Sequence, residues 1–290
     1  MDISYELYRV FYHVASTLSF SQASRQLFIS QSAVSQSIKM LEQKLGQTLF
    51  IRSTKKVQLT PEGELLYRHI EPAVNLITQG EQQLLDSPGV EVPLRIGASD
   101  TICRYFLVPY LERFHREFPH TPIHVTNATS IGCVDLLESG QADLIVVNTP
   151  NTHLAEHSRT HTVHCFQDIF VANRNFFPLE DKTLSLQQIL DYPILLLSKK
   201  STTSAFLHQH FLNQGLQLNP EIELSSNDLL IDLARIGLGI AFVPDYMLSF
   251  PDKDLIPIQV QEAPPTRQLV LAYQENHISP AVQAFMAYFS

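Results

Sequence analysis

Apolar positions at Leu7, Val10, Phe11, Val14, Ala15 and Leu18 recur at spacings of three and four, so residues 4–18 present one apolar face and are predicted as a helix. Ser19-Phe20-Ser21 interrupts the pattern, and Ser21 is placed to cap a second short helix that turns Ala23 and Leu27 inward. Phe28-Ile29 turns the chain. Ser30 then caps a third helix, expected over about 31–43, with Val34, Ile38, Leu41 and Leu45 on its buried side. Three short helices, two of them joined by a tight turn, make a helix-turn-helix. Between 49 and 60 apolar and polar positions alternate around Arg52-Ser53-Thr54-Lys55-Lys56, which predicts a small basic hairpin, a wing.

Thr60-Pro61-Glu62 opens a long helix, with threonine at the cap, proline in the first turn and an acid at the positive end of the dipole. Along it Gly63, Leu66, Ile70, Ala73, Ile77, Gly80 and Leu84 alternate steps of three and four, a heptad seam that asks for a partner helix. One helix lying on its own domain is the plainer explanation. A helix of roughly 25 residues outruns a small winged domain, however, so a dimer is expected.

Asp86-Ser87-Pro88-Gly89 reads as a linker, and after it the pattern changes. Strands are expected at Leu94–Ala98, Ile123–Thr126 and Leu144–Asn148, with helices at Tyr105–Phe118 and Ile131–Ser139 between them. The alternation resumes with strands at Ile194–Leu197, Glu221–Leu224 and Gly239–Val243, separated by helices at Ser204–Asn213 and Leu229–Ile236. A strand over 269–273 and a helix over 280–289 finish the chain. Such alternation means parallel sheet with crossover helices.

The fold class expected is therefore an α+β two-part chain: a winged helix-turn-helix over 1–60 and a linker helix and hinge over 61–91. An α/β unit of two lobes follows over 92–290. The first lobe takes about 92–163 and 266–290, the second about 164–265, and hinge strands fall near 161–166 and 264–268.

Composition sharpens this. Over 290 residues the formal net charge is -9, which by itself argues against nucleic acid. The charge is uneven, however: residues 1–60 hold seven basic side chains against three acidic ones, a net of +4, and residues 1–86 are neutral. A basic head on an acidic body is the asymmetry of a DNA-binding unit joined to one that does not bind DNA. Three cysteines are too few and too odd for a disulfide framework. No apolar run approaches a membrane span, and the start of the chain carries Asp2 and Glu6 rather than a secretion signal. A soluble, cytoplasmic protein is expected.

The most informative stretch runs from Ser30 to Lys39. With Val34 and Ile38 facing inward, Gln31, Ser32, Ser35, Gln36 and Lys39 face out. These side chains are short enough to enter a major groove: glutamine bonds adenine edges, serine serves several bases, and lysine reaches guanine or phosphate. Ser24, Arg25, Ser30, Arg52, Lys55 and Lys56 complete the expected DNA face, the basic ones on phosphates. An ordinary solvated polar face would look similar. The turn before it, the wing after it and the local charge tip the balance.

At this point the chain resembles a LysR-type transcriptional regulator. The resemblance rests on Phe20-Ser21-Gln22-Ala23-Ser24, then Leu27, then Ser30-Gln31-Ser32-Ala33-Val34-Ser35, and continues through Leu41-Glu42, Leu49-Phe50, Arg52 and Leu59-Thr60-Pro61-Glu62-Gly63. The position after Ser35 is often basic in the family and is Gln36 here. Later landmarks are Ile96-Gly97, Phe114 with Phe118-Pro119, Leu136-Leu137 with Gly140 and Asp143-Leu144, and Gly237-Leu238-Gly239-Ile240-Ala241 with Val243-Pro244. The resemblance implies a periplasmic-binding-protein-like effector domain with a cleft between its lobes, in a homodimer or homotetramer. It also implies double-stranded operator DNA as partner, and RNA polymerase if the protein activates. The bound ligand is expected to alter lobe closure or subunit packing.

The strand ends expected at such a cleft are rich in hydroxyls. Ser99 and Thr101 follow the first strand, Thr129 and Ser130 the second, and Ser201 and Thr202 the Ile194–Leu197 strand. Hydroxyls and free amides at helix starts favour a small anion, such as a carboxylate. Capping alone would also explain them.

Three rival chemistries remain. A metal sensor would use His153, His157, His161 and His164, or His208 with His210, although Thr152–Thr162 reads as loop. A redox sensor would use Cys103 and Cys133, both near helix N-termini where a thiolate is favoured. An enzyme would need a nucleophile with its base, paired carboxylates or a metal motif; no nucleophile elbow, phosphate loop or HExxH stands in the sequence. No enzyme and no cofactor are therefore expected. A freestanding solute-binding protein would share the α/β body, but residues 1–60 argue against it.

Overall fold

The computed structural model describes residues 3–52, 56–85, 92–154, 158–248, 252–274 and 278–289, with the backbone alone at 52, 79 and 82–85. The chain divides into two compact units, residues 1–89 with 138–140 and residues 90–137 with 141–290.

The first unit opens with α1 (Tyr5–Thr17), α2 (Phe20–Leu27) and α3 (Gln31–Leu45), followed by the hairpin of β1 (Phe50–Arg52) and β2 (Val57–Leu59) and by α4 (Pro61–Leu85). Val10, Phe11, Val14, Ala23, Val34, Ile38 and Leu41 form its core, closed from the hairpin side by Leu49 and Phe50. Two expectations need correction. Ser19, not Ser21, caps α2, its hydroxyl accepting from the Gln22 N–H at 3.2 Å. The reason is Phe20, which is buried with its ring centroid 5.8 Å from that of Phe50 and so has to enter with the first turn of the helix. Leu18 is not on the buried face: α1 ends at Thr17, and Leu18 takes a left-handed φ of 48° with its side chain exposed. In addition, α3 runs past 43 to Leu45 and stops at Gly46, whose φ of 67° suits a residue without Cβ.

Helix α4 uses its seam in two ways. Gly63 is buried against the Leu49 carbonyl, and Leu66 and Ile70 lie on the core of the first unit. Ala73, Leu76 and Ile77 are exposed, and the Leu84 side chain lies outside the described residues. Pro72 sits inside the helix. The linker Asp86–Gly89 also lies outside the described residues.

The second unit has two sheets. It begins with β3 (Leu94–Ala98), α5 (Asp100–Ile102), a π-helical turn (Cys103–Leu107) and α6 (Val108–Glu117). Next come β4 (Ile123–Asn127), α7 (Ser130–Glu138), β5 (Leu144–Thr149) and β6 (Arg159–Phe166). The chain then builds β7 (Asp168–Asn173), β8 (Thr183–Leu184), α8 (Leu186–Ile189), β9 (Ile194–Leu197) and α9 (Thr202–Asn213). It closes with β10 (Ile222–Leu224), α10 (Asn227–Arg235), β11 (Ile240–Pro244), β12 (Leu255–Val260), β13 (Arg267–Tyr273) and α11 (Pro280–Met286).

One sheet has the order β4-β3-β5-β13-β6, the other β10-β9-β11-β7-β12-β8. Strands joined through helices run parallel (β3 with β4 and β5, β9 with β10 and β11), whereas β13 and β7, each the first strand after a crossing from the other sheet, run antiparallel to their neighbours. Buried aliphatic and aromatic clusters cover both faces of each sheet.

The 152–162 stretch is loop only at first. From Arg159 it is the edge strand β6, whose Thr160 and Thr162 favour extended backbone and whose ladder to β13 supplies the hydrogen bonds. The single helix expected over 105–118 starts instead at Asp100 and contains the π-helical turn, because Pro109 has no N–H to offer the Tyr105 carbonyl and the ladder widens there.

Near the end of α10 a carboxylate anchors the start of β12. Asp252 accepts from the two terminal guanidinium nitrogens of Arg235, at 2.9 and 3.2 Å, and from the N–H groups of Asp254 and Leu255. Partial burial pushes its pKa up, but these four donors outweigh burial and hold it at about 2. A carboxyl held below its unfolded value stabilises above that unfolded value, and the gain is lost as pH falls through the folded one. Asp252→Asn is therefore expected to lower the melting temperature at pH 7 and to leave it nearly unchanged at pH 2. An equal loss at both pH values in a pair of calorimetric scans would contradict this assignment.

Candidate functional site

Two groups of residues answer to the sequence expectations, one in each unit. In the first unit the outer face of α3 presents Gln31, Ser32, Gln36 and Lys39 to solvent, with Ser35 half-buried. Ser30 is committed to the cap: its hydroxyl accepts from the Ala33 N–H at 3.2 Å and pairs with the Ser32 hydroxyl at 2.9 Å. The Ser21 hydroxyl donates to Gln31 Oε1 at 3.1 Å, which braces the glutamine from α2. Sequence reasoning, which gives Ser21 to a cap, misses this brace. Ser24 is half-buried, with its hydroxyl on the Ser21 carbonyl, while Arg25 is exposed in the last turn of α2. Arg52 ends β1 and Lys56 is exposed at the start of the returning strand; Lys55 and the side chain of Arg52 lie outside the described residues.

In the second unit, Ser99, Thr101, Thr129, Ser130, Ser201 and Thr202 all line one cavity of about 380 Å³. They arrive there because β3, β4 and β9 end at its wall and the following helices begin there. Capping and lining turn out to be compatible. Ser99 Oγ accepts from the Ile102 N–H (3.4 Å), Thr129 Oγ1 from Gly132 (3.1 Å), Ser201 Oγ from Ser204 (3.0 Å) and Ser226 Oγ from Leu229 (3.3 Å). Each oxygen is thus used as an acceptor, and its own hydrogen remains to be donated.

Sequence reasoning misses Asn148, Ser226, Asn227 and Tyr246, which share the cavity. The Asn227 amide nitrogen donates to Thr101 Oγ1 at 3.0 Å, and Tyr105 donates from its hydroxyl to Asp228 at 2.6 Å, so the start of α10 is tied to the opposite lobe. A polar residue near the end of an apolar strand, as Asn148 is in β5, is the available signal.

Behind the cavity lies a wholly buried ion pair. Arg267, at the start of β13, reaches Asp168 at 2.6 Å, the Thr149 carbonyl at 2.9 Å, Thr203 at 3.0 Å and Thr202 at 3.4 Å. Its guanidinium also faces the rings of Phe166 and Phe206, 5.4 and 4.8 Å from their centroids. Burial pushes the Asp168 carboxyl up, and Arg267 pulls against it.

The rival chemistries fare differently. Burial, with Asp100 nearby, raises the Cys103 thiol to about 11, and burial raises Cys133 to about 12, so both thiols are held protonated at neutral pH. The thiolate expected at these helix starts is overruled by desolvation. Among the described residues no three His, Cys, Asp or Glu side chains are grouped to hold a metal. The His161 ring meets the Phe289 carbonyl at 2.8 Å, His164 lies against Phe106 and Tyr246, and His208 and His210 meet the Ser204 and Glu262 carbonyls. His157 lies outside the described residues.

A winged helix-turn-helix in one chain with a two-sheet unit that carries a polar cavity points to a class, the DNA-binding transcription regulators. Residues 5–64 match the bacterial regulatory helix-turn-helix of the lysR family and residues 89–290 match the LysR substrate binding domain, so the chain belongs to the LysR family of transcriptional regulators. It is 27% identical to the transcriptional regulator AlsR of Bacillus subtilis over 95% of this chain and 92% of that one. It is 24% identical to the transcriptional activator CmpR of Synechocystis over 97% and 93%. Among solved structures, a full-length OxyR variant from Pseudomonas aeruginosa superposes with a TM-score of 0.70 at 20% identity, covering 99% of this chain and 93% of that one. Full-length CbnR in complex with its target DNA gives 0.67 at 16% identity, covering 99% of each chain.

Proposed function

We propose that this regulator reads duplex DNA through Gln31, Ser32, Ser35, Gln36 and Lys39 in the major groove. Arg25, Arg52, Lys55 and Lys56 hold phosphates, with Ser24 within α2 and Ser30 at the start of α3 beside them. The observation that carries this reading is the exposed polar face of α3, with its glutamine held in orientation from α2. The CbnR complex with target DNA shares the fold and supports the placement. The cavity in the second unit receives a small effector, with a carboxylate favoured by the hydroxyl donors and helix starts around it. The winged unit over 1–60, the helix over 61–91 and the lobes of 92–290 act as reader, connector and sensor. The exposed apolar side chains Leu65, Leu76 and Ile77 of α4 make it the dimerising element. The protein works in the cytoplasm on promoter DNA, as a homodimer or a homotetramer, without catalysis of its own.

Footprinting on the DNA upstream of its own gene, repeated over a range of salt, tests the reading. Two protected half-sites about one or more helical turns apart, weakening steeply with salt, are expected. Binding no better than to unrelated DNA, there and in a genome-wide selection, would overturn it. Gln31→Ala is expected to lose about 1–3 kcal/mol of discrimination at one base pair while non-specific binding stays. Competition between operator variants measures this; uniform weakening across all of them would place Gln31 on the backbone instead.

A further inference from the structure

The cavity is polar without being cationic: among the described residues that line it, Asp100 alone carries a formal charge. An anion of several charges would meet a carboxylate there and no ammonium or guanidinium. A single carboxylate is better served. Helices α7, α9 and α10, of nine, twelve and nine residues, begin at the cavity wall, and each start carries partial positive charge. Thr202 accepts from the buried Arg267 guanidinium at 3.4 Å, which leaves its hydroxyl hydrogen to donate.

Two asparagines set the opposite demand. Asn148 and Asn227 are 9% and 7% exposed, both line the cavity, and each keeps an amide oxygen with no donor among the described residues. The amide nitrogen of Asn227 donates to the Thr101 hydroxyl. Buried acceptors without donors are costly, and a ligand that supplies N–H groups relieves them. Two unsatisfied acceptors in the wall and one carboxylate together suit a protonated amine, which brings three donors and a positive charge.

Building on the effector reading of this cavity, we propose that its ligand is a small zwitterion of the α-amino-acid type. The carboxylate sits at Thr202 and the helix starts, and the ammonium sits among Asn148, Asn227 and Asp100. A dicarboxylate lacks the amine, a simple amine lacks the acid, and a sugar leaves Asp100 without a counter-charge.

The test uses the purified full-length protein. Melting curves are recorded with each of the twenty common amino acids at millimolar concentration, with inorganic phosphate and with glucose. Any ligand that raises the melting temperature by about 2 °C or more is then titrated calorimetrically beside its deaminated acid and its decarboxylated amine. The expected result is an amino acid that binds at least about tenfold more tightly than either relative. Asp100→Asn, a change at an exposed side chain, is expected to weaken the amino acid about tenfold and leave the simple acid unaffected. Thr202→Val should weaken both. The proposal is overturned if none of the amino acids binds, if the acid or amine alone binds as tightly, or if phosphate or glucose binds in preference. Salt-dependent DNA binding, measured on the same preparation, separates the outcomes: retained DNA binding with a failed amino-acid series removes the ligand class alone, and the converse removes the DNA reading alone.

Discussion

Replacing Arg267 with methionine is expected to destabilise the second unit by about 3–5 kcal/mol, the cost of leaving one member of a buried ion pair without its partner. Both side chains of the pair have no exposure to solvent. Methionine fills much of the same volume, so little of the loss comes from a cavity. The loss comes from Asp168, which would keep its burial and lose its strongest donor, and from Thr149, Thr202 and Thr203, which would lose theirs. In a unit of this size the melting temperature should fall on the order of 10 °C. Two compact units need not unfold together, so the transition is best followed by calorimetry of the full chain, where each unit has its own heat. The double variant Arg267→Met with Asp168→Leu removes both charges and should be much more stable than Arg267→Met alone. If the double variant instead lost the sum of the two single effects, the two residues would act independently and the ion pair would not be the cause. The position matters for the cavity too. Arg267 starts β13 of one sheet and grips Asp168, the first residue of β7 in the other, while touching Thr202 on the cavity wall. A ligand that engages Thr202 thus acts on a side chain already bonded to the pin between the lobes.

The reading head is the more legible part of this chain, because what defines it is local. Val34 and Ile38 must face a core, four residues apart on a helix, and that alone turns Gln31, Gln36 and Lys39 outward. Strands β3 and β9 are equally plain, being short apolar runs closed by hydroxyl residues. The failures share a different cause. Strands β7 and β12 escape a one-dimensional reading because their apolar runs stand next to other strands rather than alternating with helices, and their partners lie far along the chain. The cap of α2 falls two residues from its expected place because the burial of Phe20 depends on Phe50, thirty positions away. At the cavity, the serines and threonines announce themselves as helix caps. Asn148 and Asn227 do not, since an asparagine at the end of a strand or the start of a helix is ordinary until the other wall is in place. Arg267 is the extreme case: nothing in one dimension marks an arginine as buried when its counter-ion stands ninety-nine positions before it.

A methyl group added at Gly63 should have the second large effect. A Cβ there would lie 2.2 Å from the Leu49 carbonyl oxygen and 3.0 Å from a Leu59 methyl. The first contact is with backbone and cannot be relieved by turning a side chain. The same carbonyl accepts the Thr60 N–H at 3.0 Å, and Leu49 donates its own N–H to Glu42 at 2.8 Å. The Thr60 hydroxyl donates to the Thr48 carbonyl at 2.7 Å and accepts from the Gly63 N–H at 3.0 Å. These bonds join α3, the β1-β2 hairpin and α4 at one point, so displacing any of them displaces the rest. Gly63→Ala is expected to cost about 3 kcal/mol, the upper part of the range for overpacking, and to lower the melting of the first unit by on the order of 10 °C. DNA affinity should fall with it, because Arg52 and Lys56 flank the wing that would be moved. Gly80→Ala provides the control on the same helix: among the described residues nothing lies within 4 Å of the added carbon. There the smaller loss of chain entropy should stabilise by about 0.5–1 kcal/mol. Calorimetry and a DNA titration of the two variants decide the matter. Equal stability of the two would mean that Leu49 yields easily and that the junction of wing and helix is looser than its hydrogen bonds require. A large difference, with DNA binding lost only in Gly63→Ala, would locate the rigidity of the reading head at that junction.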